Sequence, residues 1–214
     1  MDQGPDAIGG LLNIPDDAAA AGAPPHWLAY IAVPDVAATV TQASGLGAEI
    51  LVGATEIPGA GSFVVLRDPQ GAVFALFRDA KDTPASSSGE ASEQEFSWHE
   101  LLTTDHVAAF DFYAALFAWV KIEAMDMGEM GIYQIYGQEG GVAMGGMYNK
   151  PAELPASPHW LYYIKVKDIE AAVLRVKELG GQVHSGPGEV PGGSQVAQCC
   201  DPQGVVFALH FEAK

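Results

Sequence analysis

A chain of 214 residues that is 49 % apolar and 17 % charged has a globular composition and enough length for one large core or two small ones. Ten Lys plus Arg stand against 27 Asp plus Glu, a net charge of −17. That surface repels phosphate backbones and anionic membranes, which argues against nucleic-acid and membrane partners.

The N-terminal "MDQGPDAIGGLLN" has neither the basic start nor the apolar stretch of a signal peptide, and no apolar run reaches membrane-spanning length. The two cysteines, Cys199 and Cys200, adjoin in sequence and build no disulfide framework. A cytoplasmic protein is expected. Within the N-terminal stretch, "AIGGLLNIP" from Ala7 resembles "AMGGMYNKP" from Ala143. The chain therefore reads as opening on the last strand of a further unit, either lost from the N-terminus or supplied by a partner subunit. The alternative is a Gly/Ala-rich tail over residues 1–24.

From Pro25, "PHWLAYIAVPDVAATV" predicts a strand followed by an Asp-capped helix, and "RDPQGAVFAL" predicts a tight turn into a closing strand. The whole passage returns 133 positions later, as "PHWLYYIKVKDIEAAV" and "CDPQGVVFAL". Over residues 25–80 the two copies share 25 identities without a gap, which identifies an internal duplication. In the second copy Ile169, Ala172, Val173, Val176 and Leu179 recur at helical spacing between the cap Asp168 and the stop Gly180. With "QVHSG", "QVAQCC" and "VVFALHF" as strands, the repeating unit is βαβββ.

Between the copies, the Ser/Ala/Pro-rich residues 81–94 read as a linker. A more distant βαβββ unit follows: the strand "FSWHELLTTD", a helix with Val107, Phe110, Ala114 and Phe117 on one stripe, and the hairpin "GEMGIYQIYG"–"GGVAMGGMYNK". The expected layout is an incomplete domain over 1–80, the linker, and a complete two-unit domain over 95–214.

Paired βαβββ units, the "FY..LF.W" helix and the closing "DPxG" strand resemble the glyoxalase/bleomycin resistance/dioxygenase superfamily, the vicinal oxygen chelate proteins. The double-length layout resembles its mycobacterial antigen and hydroxylase-like branch. That resemblance implies an α+β fold in which paired units curl a sheet into a cup, helices outside and chemistry within. In metal-dependent members, His, Gln or Glu on the first and last strands hold the ion. The matching positions here are Trp98, Leu161 and Ala208, with Gly and Met in "VAMGGMYN" and with Leu28 and Ala75 in the first copy. None supplies an imidazole or carboxylate, so no metal and no cofactor are expected. His99 is one residue off register, which turns its side chain to the opposite face.

Period-two alternation puts Trp98, Glu100 and Leu102 on the cup face, with His159, Leu161, Tyr163 and Lys165 opposite and Val206, Ala208 and His210 closing it. Such a lining suits a small apolar or aromatic molecule. Glu100, with Tyr163 or His210, is the candidate acid/base pair of an alternative, metal-free lyase, isomerase or hydroxylase-like enzyme. The blander reading has Glu100 paired with Lys165 or reaching solvent. A metal-dependent glyoxalase or dioxygenase ranks third. The half-domain at the N-terminus would leave a large apolar sheet face open, so a homodimer is expected.

Overall fold

A computed structural model describes residues 9–20, 22–80 and 91–213. It shows an α+β fold of twelve strands and four α-helices among those residues. They form two compact units, one from Leu28–Glu90 and Ser97–Tyr163, the other from Met1–Trp27, Ala91–Phe96 and Ile164–Lys214. The first ten residues of the expected linker, 81–90, lie outside the described residues. Residues 9–15, the described part of the expected N-terminal strand, form no strand, and a short helix α1 follows at Asp16–Ala20. A strand exists only by pairing, and none of the described strands pairs with this segment. No described helix is long and apolar enough to cross a membrane.

In the larger unit, β1 (Tyr30–Ala32), α2 (Val36–Gly45), β2 (Glu49–Ile57), β3 (Gly61–Arg67) and β4 (Val73–Asp79) make one βαβββ repeat. Its strands are ordered β1-β4-β3-β2, with β1 parallel to β4. A second repeat runs through β5 (Phe96–Thr103), α3 (His106–Phe117), β6 (Val120–Asp126), a 3-10 turn at Gly128–Met130, β7 (Ile132–Gly137) and β8 (Ala143–Asn149). Here β5 lies parallel to β8, and β9 (His159–Lys165) flanks β5 on its other side, giving the order β9-β5-β8-β7-β6.

The smaller unit carries α4 (Ile169–Glu178) and the antiparallel strands β10 (Gln182–Glu189), β11 (Gln195–Cys200) and β12 (Val206–Phe211). Ile169 and Val173 of α4 pack on Ala197, Cys199 and Leu209, joined by Phe207 and Phe211. Odd-numbered residues of β12 therefore face the helix and even-numbered ones face away, as the sequence alternation predicts.

The same local chemistry punctuates each repeat. Asp35, Asp105 and Asp168 cap their helices, each accepting a backbone N–H from the first turn. In the two "DPQG" turns, Asp68 Oδ1 accepts from the N–H groups of Gln70, Gly71 and Ala72, and Asp201 Oδ1 from those of Gln203 and Val205. The turn glycines sit at φ 111° (Gly71) and 86° (Gly204), a region that only glycine enters freely. The duplication extends to single contacts: His26 and His159 each turn Nδ1 back to the carbonyl two residues earlier, at 2.7 and 2.8 Å.

Candidate functional site

Strand β5 divides its side chains between two environments. Leu101 and Thr103 are fully buried, and His99 lies edge-on to Tyr162, ring centroids 5.9 Å apart. On that face an aromatic core forms beneath α3, where Tyr113 contacts Trp119 and Trp160 and donates its hydroxyl to Asp68. Burial lowers the His99 pKa and so favours the neutral ring.

The opposite face carries Trp98, Glu100 and Leu102. Glu100 is 6 % exposed, and its Oε2 accepts two hydroxyls, from Tyr133 at 2.9 Å and Tyr163 at 3.1 Å. Tyr133 in turn accepts the indole N–H of Trp98 at 2.7 Å. An indole N–H can only donate, so the Tyr133 hydroxyl proton is left to point at Glu100. Tyr148, tilted against Tyr133 at 5.7 Å, completes the set. Burial raises the Glu100 pKa, and the two hydroxyl bonds pull the other way without cancelling it. Burial holds Tyr133 and Tyr148 firmly in the neutral phenol form.

Tyr133 reaches Glu100 because the strand between them yields space. It stands on β7, Glu100 stands on β5, and β8 lies in the middle. A Cβ at Gly146 of β8 would sit 2.0 Å from the Tyr133 ring, so the ring lies flat across a strand position that holds no side chain. Neighbouring Gly145 plays the mirror role on the core face, where an added Cβ would meet the Tyr136 hydroxyl at 2.7 Å and the His99 carbonyl.

Of the residues expected at the site, Trp98, Glu100 and Tyr163 join one hydrogen-bonded cluster. Leu161, alternating with Tyr163 on β9, is 2 % exposed. His159 spends Nδ1 on the Ser157 carbonyl and enters none of the cluster's hydrogen bonds. Lys165, Ala208 and His210 fall in the smaller unit. There Lys165 pairs with Glu212 rather than with Glu100, because the β9 terminus brings its ammonium to that exposed carboxylate. The Lys165 hydrogen bond lowers the Glu212 pKa, and burial lowers that of His210. Ala208 is fully buried. Tyr133, Tyr148 and Gly146 were not singled out from the sequence. Their middle repeat has no close copy to fix its register, although a glycine pair inside a strand is itself a sign of close approach.

A family model described as the glyoxalase/bleomycin resistance protein/dioxygenase superfamily matches residues 96–209. The chain belongs to that superfamily. Among curated members, a putative glyoxylase, CFP32 of Mycobacterium bovis, is 30 % identical over 95 % of this chain and 76 % of its own length. The anthracycline biosynthesis protein DnrV of Streptomyces peucetius is 30 % identical over 88 % of this chain and 66 % of its own. Among solved structures, the Mn(II)-bound glyoxalase of Novosphingobium aromaticivorans aligns with a TM-score of 0.58 at 14 % identity, over 86 % of this chain and 62 % of that one. That likeness concerns the fold.

Metal-binding members of this superfamily raise the question of whether the residues here suit an ion. Among the described residues no three His, Cys, Asp or Glu side chains gather at one point. The one carboxylate of the cluster already has Oε2 engaged by two hydroxyls. The phenols beside it are held neutral, and the indole nitrogen has no lone pair to give. The donor set does not fit a divalent cation.

Proposed function

We propose that this glyoxalase-like superfamily member binds a small, flat, largely apolar or aromatic molecule on the Trp98–Tyr133–Tyr148–Tyr163 face, with no resident metal. The observation that carries the reading is a buried carboxyl fixed by two tyrosines inside an aromatic lining. Such a face joins the partly exposed rings of Trp98, Tyr133 and Tyr148 to one oriented polar anchor, a combination that suits a small-molecule site. Kinship with a protein of anthracycline biosynthesis, named for a class of polycyclic aromatic compounds, agrees with it.

A second reading, a metal-free enzyme using Glu100 as acid or base, is favoured by one specific observation. The carboxyl pKa is raised by burial, as a proton-transfer group at neutral pH requires. Titration with flat aromatic compounds, followed through tryptophan emission, tests the first reading. Saturable binding that is lost in Trp98→Ala and retained in Glu100→Gln supports it, and no saturable response from any compound defeats it. Turnover of a bound compound that stops in Glu100→Gln establishes the second.

A homodimer accompanies the proposal. Strand β1 repeats β9, yet among the described strands it ends its sheet while β9 has β5 as a neighbour, so a second copy is the natural occupant of that edge. Light scattering at micromolar concentration checks it, and a monomer mass counts against it.

A further inference from the structure

Both hydroxyl donors of the cluster converge on the same oxygen of Glu100. Tyr133 and Tyr163 donate to Oε2, and no described residue donates to Oε1. A carboxylate shares its charge equally between its oxygens, and a buried one draws in a cation. Here no lysine, arginine or histidine among the described residues pairs with Glu100. Among the described residues, the side chains brought to it are uncharged: Tyr133 on β7 and Tyr163 on β9 by hydrogen bond, Tyr148 on β8 close by, and Trp98 on β5 through Tyr133. Buried acids without a cation neutralise by keeping their proton. With both tyrosines donating to Oε2, that proton has one place left to sit.

We infer that Glu100 is a neutral carboxylic acid whose Oε2 is the tyrosine-bound carbonyl and whose Oε1–H is the hydrogen-bond donor of the site, selecting flat ligands that carry a carbonyl or similar acceptor. The inference rests on the proposed binding function and narrows it to a ligand class. It separates that class from flat ligands that carry a cationic ammonium group, which an ionised carboxylate ringed by aromatic faces would prefer. Burial raises the Glu100 pKa in the same direction.

Infrared spectroscopy of the unliganded protein reads the protonation directly. At neutral pH the difference between wild type and Glu100→Gln shows the carbonyl stretch of a protonated carboxyl, moving to lower frequency in D2O. Tyr163→Phe, which removes one hydrogen bond to that carbonyl, moves the band to higher frequency while leaving the fold intact. Loss of carboxylate bands in place of the carbonyl band overturns the inference.

Three matched probes then test the ligand class: 9-fluorenone with an acceptor, fluorene with none, and 9-aminofluorene with a cation. Fluorenone binds about tenfold more tightly than fluorene, the worth of one buried hydrogen bond. Glu100→Gln retains this preference because its amide also accepts from the tyrosines and donates outward, and Glu100→Leu abolishes it. Equal binding of fluorenone and fluorene, or a preference for 9-aminofluorene lost in Glu100→Gln, overturns the inference and leaves the binding function standing. Failure of all three probes defeats the binding function, and the infrared band still decides the state of Glu100.

Discussion

Tyr30 and Tyr163 occupy one position in two copies of the same repeat, 133 residues apart, and they end in opposite circumstances. Tyr30 is 44 % exposed and packs edge-on to Phe63 and Phe77. Tyr163 is 6 % exposed and donates its hydroxyl to Glu100. The strands carrying them differ in their neighbours: among the described strands β1 is the edge of its sheet, and β9 is joined on one side to β5. The repeat therefore supplies a reusable aromatic position, and the adjoining strand decides whether its hydroxyl meets a buried polar partner. Only β5 brings a carboxylate to meet the tyrosine.

Substitution at matched positions should separate the two copies. Leu161 is almost fully buried and Leu28 only half so. Leu161→Ala is expected to cost about 2–5 kcal/mol in chemical denaturation, and Leu28→Ala clearly less. Next comes Gly146→Ala, whose added methyl collides with the Tyr133 ring. Overpacking of that kind costs about 1–3 kcal/mol, and it should also uncouple Tyr133 from Glu100. Gly53→Ala on the exposed strand β2, where nothing lies within 4 Å of the added atom, is the control and should leave stability nearly unchanged.

Smaller again is the hydroxyl pair. Tyr163→Phe removes a hydrogen bond to a buried acid and should cost about 1–2 kcal/mol, while Tyr30→Phe should stay within about 0.5 kcal/mol. Equal losses at 163 and 30 would show that the sheet edge makes no difference.

The smallest effect is one of pH. Because burial raises the Glu100 pKa in the folded protein, its contribution to stability is complete below the unfolded carboxyl pKa and is lost as pH rises through the folded value. Glu100→Gln has no proton to lose. Its melting temperature relative to wild type should therefore climb from acid toward neutral and alkaline pH. A difference that shrinks as pH rises would place the folded pKa below the unfolded one.

Much of this arrangement was legible in the residues. The gap-free duplication aligned β1 with β9 and β4 with β12, and the alternation placed Trp98 and Glu100 on one face and His99 on the other. Phe207, Leu209 and Phe211 turned to α4 as the same alternation requires. Less was legible where no copy existed. Tyr133 lies in a hairpin of the unduplicated repeat, and its contact with Glu100 spans an intervening strand, a distance that period-two reasoning along a single strand does not measure. The partner of Lys165 was missed for a similar reason. Glu212 follows the end of β12, in a terminal stretch where no periodicity constrains it.

Gly145 and Gly146 together leave one strand with room for a tyrosine on either side of the sheet, Tyr136 toward the core and Tyr133 toward the carboxyl. Divergence at these places is consequently tied in pairs. A relative with a short residue at the position of Tyr133 is free to carry alanine or serine at that of Gly146, and with it a different donor in the site. A relative that keeps the tyrosine in this pose is expected to keep the glycine, because any Cβ there meets the ring. The two positions amount to a single heritable choice of the group that meets Glu100, exercised by changing both together.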